Sequence, residues 1–339
     1  MDMKKVFGGL VATLLVAGTA QAAPLEMNFQ SIYNPAQRQN ADALEPWAAS
    51  FEKASKGDMK MHFFYAGGVV EATDVYNGLK HGMVDAAGWS VYDHNQSPYV
   101  YLLSIPYLAK NQDQGYRAIK KLVNEVPELR ADLEGPGKLL DFAVSAPFMI
   151  ASKDVPVHSP ADIKGRRVLV TSGGFGEQVE AFGGIPVTVA MGDIYVGLQR
   201  GMGEMFICGV SCVKGARVQE FCKYSVALGQ VSISAFPYNI NRELFEQDMT
   251  EEQRKLTMEL SKGLGEKVVA SFLRDVEDTY KQFREAGMEV YFPNDAEMAQ
   301  WKEAVMSLLP SKIEKAKKAG VKNAEEIVKK YYEIAATVE

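Results

Sequence analysis

The sequence of 339 residues predicts an α/β protein of two lobes, with segments crossing between them and a helical C-terminal region. Three observations carry that prediction. Short strand-like runs alternate with helical runs over residues 25–89. The same alternation starts afresh over residues 139–201. Beyond Asp248 the chain turns to dense Glu and Lys, with apolar residues at helical spacing.

The elements follow in order. Lys4 and Lys5 precede an apolar run from Val6 to Gly18, broken only by Thr13, and Ala20-Gln21-Ala22 fits a small-x-small cleavage rule. Residues 1–22 are therefore expected to be an export signal, too short to stay in a bilayer as a spanning helix. Leu25 to Phe29 alternates as a strand, and Asn34-Pro35 marks a turn. A helix is predicted over residues 41–51, with Pro46 in its first turn or at a kink. Met59 to Tyr65 reads as a second strand, Glu71 to His81 as a helix closed by Gly82, and Val84 to Trp89 as a short buried strand.

In the second unit, residues 139–144, 148–151, 167–171 and 185–187 read as strands. Ser172-Gly173-Gly174-Phe175-Gly176 reads as a strand-to-helix loop, with its helix running to about Phe182, and a further helix covers residues 193–201. Residues 250–286 and 295–337 are helical, interrupted at Pro310. Residues 23–145 are expected mainly in the first lobe, 146–240 mainly in the second, and 241–339 across both. Ligands of open α/β sheets sit beyond the carboxyl ends of the strands and at domain interfaces, so the expected site is a cleft that closes by hinging.

A formal net charge of −6 gives no electrostatic footprint for nucleic acid or anionic lipid. Cys208, Cys212 and Cys222 form either one disulfide or three free thiols. Cys208-x-x-x-Cys212 has no His within fifteen residues and no second ligand pair, so no metal is expected there, and no cofactor elsewhere. His62, His81, His94 and His158 fall in no His-Glu-x-x-His, and neither a Gly-x-Ser-x-Gly elbow nor a phosphate-cradling motif occurs. Catalysis is not expected.

Several segments together resemble the solute-binding (DctP-type) receptors of tripartite ATP-independent periplasmic (TRAP) transporters. Trp47 to Glu52 with Lys56-Gly57-Asp58, and Gly78 to Asp85, resemble that family's first two helix-to-turn steps. Ser104-Ile105-Pro106-Tyr107-Leu108 is similar to its Pro-Phe-Leu element, and Ser159 to Gly165 to its Pro-x-Asp-Leu-Lys-Gly element. Gly183 to Val187 followed by Tyr195 to Gly201 resembles the helix before its second Gly-x-x-Asp step. The resemblance implies a periplasmic binding protein fold and a periplasmic receptor for a small organic acid. Its partners would be the small and large membrane subunits of the TRAP permease.

The departures concern the ligand. The family's carboxylate-clamping Arg falls on Leu169, or on Val168 if a one-residue deletion nearby shifts it; a second Arg falls on Met149, and a common Asn falls near Cys208. Arg167, two residues before Leu169, shares its strand face and either reaches the cleft or sits solvated at the strand start. Ser172, Gly173 and Gly174 either form an anion-holding nest of backbone N–H groups or an ordinary loop. Arg38, on the turn after the first strand, is either a third cationic candidate or a surface residue. Trp89, Tyr92, Phe148 and Tyr238 are read either as pocket walls or as core. Ser90 and Asn239 are candidate hydrogen-bonding groups, and Glu71 would receive a hydroxyl or an amine. A short sulfonate of isethionate type, or a carboxylate, fits these departures. A neutral or cationic solute, with Glu71 or Glu204 as counter-charge, is the alternative, as is a periplasmic sensor subunit of the same fold.

Overall fold

The computed structural model describes residues 23–90, 95–104, 109, 111–171, 173–230 and 233–338; the expected export signal, Tyr92 and Ser172 lie outside them. The chain opens with β1 (Leu25–Gln30), α1 (Glu45–Ala54), β2 (Met59–Phe64), α2 (Val75–Lys80) and β3 (Ala86–Gly88). Pro46 lies in the first turn of α1, where its missing N–H costs no helical hydrogen bond. Three helices that the sequence reading left unassigned follow: α3 (Pro98–Leu102), α4 (Gln112–Glu125) and α5 (Pro127–Leu133). Then come β4 (Lys138–Val144), β5 (Phe148–Ser152), β6 (Arg167–Val170), α6 (Gly173–Ala181), β7 (Ile185–Thr188) and α7 (Ile194–Gln199). The chain continues through β8 (Met205–Gly209), α8 (Val210–Gly215), β9 (Tyr224–Gly229) and β10 (Ala235–Ile240). The helical region comprises α9 (Glu251–Ser261), α10 (Leu264–Glu285), a short β11 (Glu289–Tyr291), α11 (Asp295–Met306), α12 (Leu309–Lys318) and α13 (Ala324–Thr337). Pro310 opens α12 rather than breaking a longer helix.

Two sheets result, one in each lobe. The first has the order β2-β1-β3-β10-β4 and the second β11-β9-β5-β8-β6-β7. In the first sheet β1, β2 and β3 are parallel, and β10 runs antiparallel to both of its neighbours. In the second, β5 runs antiparallel to β8 and β9, while β6 is parallel to β7 and β8, and β11 to β9. So β10 and β11 each return to the sheet from which the preceding chain had departed. The C-terminal ends of β1 to β4 lie at one edge of the first sheet, and those of β6 to β9 at one edge of the second.

The crossings join those edges. One runs from the end of β4 to the start of β5, the other from the end of β9 to the start of β10. Ser145 N–H donates to Ser234 O (2.9 Å), and Ser234 N–H donates to Ser145 Oγ (3.1 Å), which ties the two crossings together. The helix α10 packs on β4 in the first lobe and on α8 and β11 in the second. The helix α11 packs on α6 of the second lobe, while α12 packs on α3 of the first.

Aromatic edge-to-face pairs anchor each core. Trp47 meets Phe29 (5.0 Å) and Phe51 (5.2 Å) beside the first sheet, and Trp301 meets Phe182 (4.9 Å) beside the second. One contact leaves no room for a side chain. Gly265, in the first turn of α10, gives its N–H to Asp141 Oδ2 (2.9 Å), and a Cβ there would lie 1.8 Å from Phe142 O. Gly265→Ala is expected to lower stability by about 3 kcal/mol in urea denaturation, the upper range for overpacking. Gly215→Ala, at a helical position with nothing within 4 Å of the added Cβ, is expected to cost nothing.

Candidate functional site

The cleft lies between the facing strand ends, which places each sequence-predicted residue by the direction of its strand. Trp89 and Ser90 follow β3 at the rim, and Phe148 opens β5 there. Yet Trp89 is buried: its Nε1–H donates to Asn239 Oδ1 (2.8 Å), and its ring meets Tyr76 edge-on (5.1 Å). Asn239 gives both amide hydrogens to Leu133 O and Gly137 O (2.9 Å each). It therefore has no amide hydrogen left for a solute, and its strand carries it away from the cleft because β10 runs antiparallel to β3. Tyr238 is fully buried with its hydroxyl 3.3 Å from that of Tyr33, and burial pushes both phenols upward. Of the two readings of Trp89 and Tyr238, pocket wall or core, their burial fits core, and Asn239, a candidate hydrogen-bonding group, directs its amide into the first lobe.

The cationic candidates also move away. Arg167 opens β6 and therefore sits at the end opposite the cleft; exposed, it donates to Gly201 O (3.1 Å). It lines a cavity of about 180 Å³ there with Lys153, Asp154, Arg166 and Glu204. Glu204 pairs with Arg166 (2.9 Å) at that same end, so it is no counter-charge for a cationic solute in the cleft. Arg38 pairs with Asp42 (3.2 Å) and with Asp278 of α10, and these carboxylates raise its already high pKa. Glu71 is exposed ahead of a short 3-10 turn, and Ser90 is half-buried at the rim.

Met149 and Leu169, the positions on which the resemblance puts the family arginines, are fully buried in their strands. Met149 faces Cys208 across β8 and Ala227 across β9. Cys208 is bonded to Cys212, with Cα atoms 6.0 Å apart, and the Cys212 sulfur touches that of Met191 at 3.6 Å. Cys222 is a buried free thiol whose pKa burial pushes up to about 12, which leaves it unreactive. Gly173 and Gly174 are not a loop: α6 starts at Gly173, so these glycines form its first turn at the end of β6. Among the described residues no group of three or more His, Cys, Asp or Glu is arranged to hold a metal ion.

Three side chains unread in the sequence stand at the cleft ends of strands. Gln39 follows the loop after β1, Gln230 comes directly after β9, and Ser211 is the second residue of α8, which follows β8. All three are buried, and among the described residues both amide atoms of Gln39, both of Gln230 and Oγ of Ser211 lack a hydrogen-bond partner. A buried polar group without a partner costs about 1–3 kcal/mol, so such groups mark places where something else completes the bonding. Their only sequence signal is position after a strand, and β8 and β9 lack the alternation that marks a strand.

The facing strand ends, the tied crossings and these buried polar groups define a hinged, two-lobed solute-binding protein. The chain belongs to the family described as bacterial extracellular solute-binding protein, family 7 (DctP), whose model matches residues 30–316. A solute-binding protein of Albidiferax ferrireducens is 22% identical over 261 residues, covering 76% of each chain. A TRAP periplasmic solute-binding protein of Bordetella bronchiseptica, solved with mandelate bound, superposes with a TM-score of 0.80 at 17% identity, over 93% of this chain and 100% of that one. One from Rhodoferax ferrireducens, solved with copurified benzoate, gives 0.80 at 17% identity over 92% and 98%. One from Sulfitobacter, solved with β-D-galacturonate, gives 0.78 at 18% over 91% and 99%. Among the described residues no helix is long and apolar enough to cross a membrane.

Asn239→Leu leaves the Trp89 N–H and two buried carbonyls unpaired. It is expected to cost about 3 kcal/mol in urea denaturation, the size of such an unpaired group's penalty. Ser90→Ala, at the half-buried rim, is expected to leave stability within about 0.5 kcal/mol of the parent.

Proposed function

We propose that this protein captures a small organic acid between its lobes in the periplasm and delivers it unchanged to the two membrane subunits of a TRAP permease. The single observation that carries the reading is the set of partnerless buried groups, Gln39, Ser211 and Gln230, standing at the cleft ends of strands from both lobes. Donors and acceptors contributed by both halves fit a solute that is completed only when the lobes close. Family membership and the acids bound by the related structures (mandelate, benzoate and galacturonate) support the class of solute.

The acid is a carboxylate or a short sulfonate that does not need the usual bidentate arginine. Leu169 and Met149 stand where that guanidinium would be anchored, and both are sealed in the core. The first turn of α6, beginning at Gly173 on the cleft end of β6, adds backbone N–H groups of the kind that favour anionic oxygens.

A thermal-shift panel of benzoate, mandelate, galacturonate, orotate, pyroglutamate, isethionate, glycerol and choline tests the class. At a hundredfold excess over its dissociation constant, a true ligand adds about 2.7 kcal/mol of stability. Stabilisation is expected from one or more of the six acids and from neither glycerol nor choline. A shift with choline or glycerol alone contradicts the reading.

A further inference from the structure

Among the described residues, Lys312 of α12 is the only Lys or Arg that is buried, at 6% exposure. Its helix packs on α3 of the first lobe, but its ammonium lies at the junction with the second. Nζ is 3.2 Å from Ser104 Oγ, 4.7 Å from the centre of the Tyr101 ring, and 4.0 Å from Glu177 Oε2 on α6. Glu177 is one turn inside α6, whose first residue follows the cleft end of β6. The other carboxylate oxygen of Glu177 is bonded by Lys315. Two ammoniums thus share one carboxylate, and the nearer-bonded one is not Lys312. Among the described residues its single short acceptor is a neutral hydroxyl, although an ammonium carries three donors.

A buried charge so loosely matched is costly to the fold. The groups facing it are Glu177 from α6, Tyr101 and Ser104 from the α3 side, and Lys315 on its own helix. Burial brings the Lys312 pKa down to about 8, helped by the Lys315 charge and opposed by Glu177. An anion arriving between α6 and α12 would supply the missing partner and draw the two lobes together.

We infer that Lys312 is the anion anchor of the cleft, its ammonium holding the acidic group of the captured solute where Leu169 and Met149 provide no guanidinium. The inference rests on the receptor reading above and deepens it. A compact ammonium holds a single oxygen and makes no planar two-point match, so the acid is recognised by charge at one end and by shape along the rest. The same Lys imposes opposite effects on the empty and loaded protein. It destabilises the empty form and is indispensable to the loaded one.

The test uses whichever acid of the panel shifts melting most, titrated calorimetrically at pH 6.5, where Lys312 is protonated. Lys312→Met is expected to melt no lower than the parent without the acid and to bind the acid about 100-fold more weakly, as for truncation of a buried charge pair. Lys312→Gln, which retains a donor for Ser104, serves equally should the Met variant not fold. Glu177→Gln removes the competing carboxylate and is expected to keep or raise the affinity. In the parent, affinity is expected to fall about tenfold per pH unit above 8, and to stay flat in Lys312→Met. Unchanged affinity in both Lys312 variants overturns the anchor. So does an equal loss in Glu177→Gln, which would make the pair a mere interlobe latch. If no acid of the panel stabilises the parent, the receptor reading itself fails and this inference falls with it.

Discussion

Everything in this molecule hangs on the pair of crossings that leave the C-terminal end of β4 and of β9 and hydrogen-bond to one another through Ser145 and Ser234. Because both crossings join the same edge of each sheet, the carboxyl ends of two sets of strands must face each other. That constraint decides which residues reach a solute and which cannot. A residue at the start of a forward strand, such as Arg167, is carried to the outer end. A residue directly after a forward strand, such as Gln230, is carried to the cleft. The long helix α10, seated against β4 at Gly265, spans both lobes and limits how they separate.

Buried polar groups are met in two ways. In the first lobe, Asn239 satisfies Trp89 and two backbone carbonyls at once, which makes a closed network that stiffens the sheet. Around the cleft, Gln39, Ser211 and Gln230 are buried but unmatched. These open groups follow strands whose ends face the opposite lobe, the position the proposed solute would occupy, and leaving them unmatched costs the empty protein stability.

Much of this architecture was legible beforehand. Alternation over residues 25–29 and 59–65, and apolar runs near 140 and 150, located strands to within a residue or two, because a half-buried strand repeats every two residues. The helical C-terminal region was plain from its Glu and Lys spacing. The helices over residues 98–133 carry apolar residues on short segments opened by prolines, Pro98 and Pro127, and so read as broken chain. The strands β8, β9 and β10 are buried on both faces and show no alternation, which hides them. The departures at Leu169 and Met149 are visible in the sequence, and both residues are buried in their strands. The group proposed in place of the arginine clamp is not visible there. Tyr238 and Asn239 look like cleft residues until the antiparallel sense of β10 is known, and Lys312 looks like one more solvated lysine in Lys312-Ile313-Glu314-Lys315 until α6 is seen packed beside it.

The central claim is that two halves close on a solute held by groups from both. Small-angle scattering of the protein, with and without the acid that stabilises it best, measures that closure directly. The account predicts a smaller radius of gyration and a shorter maximum dimension on saturation, with no change when an inert acid is added. Identical scattering with a stabilising acid bound would contradict it, because the solute would then occupy a site that does not lie between the lobes.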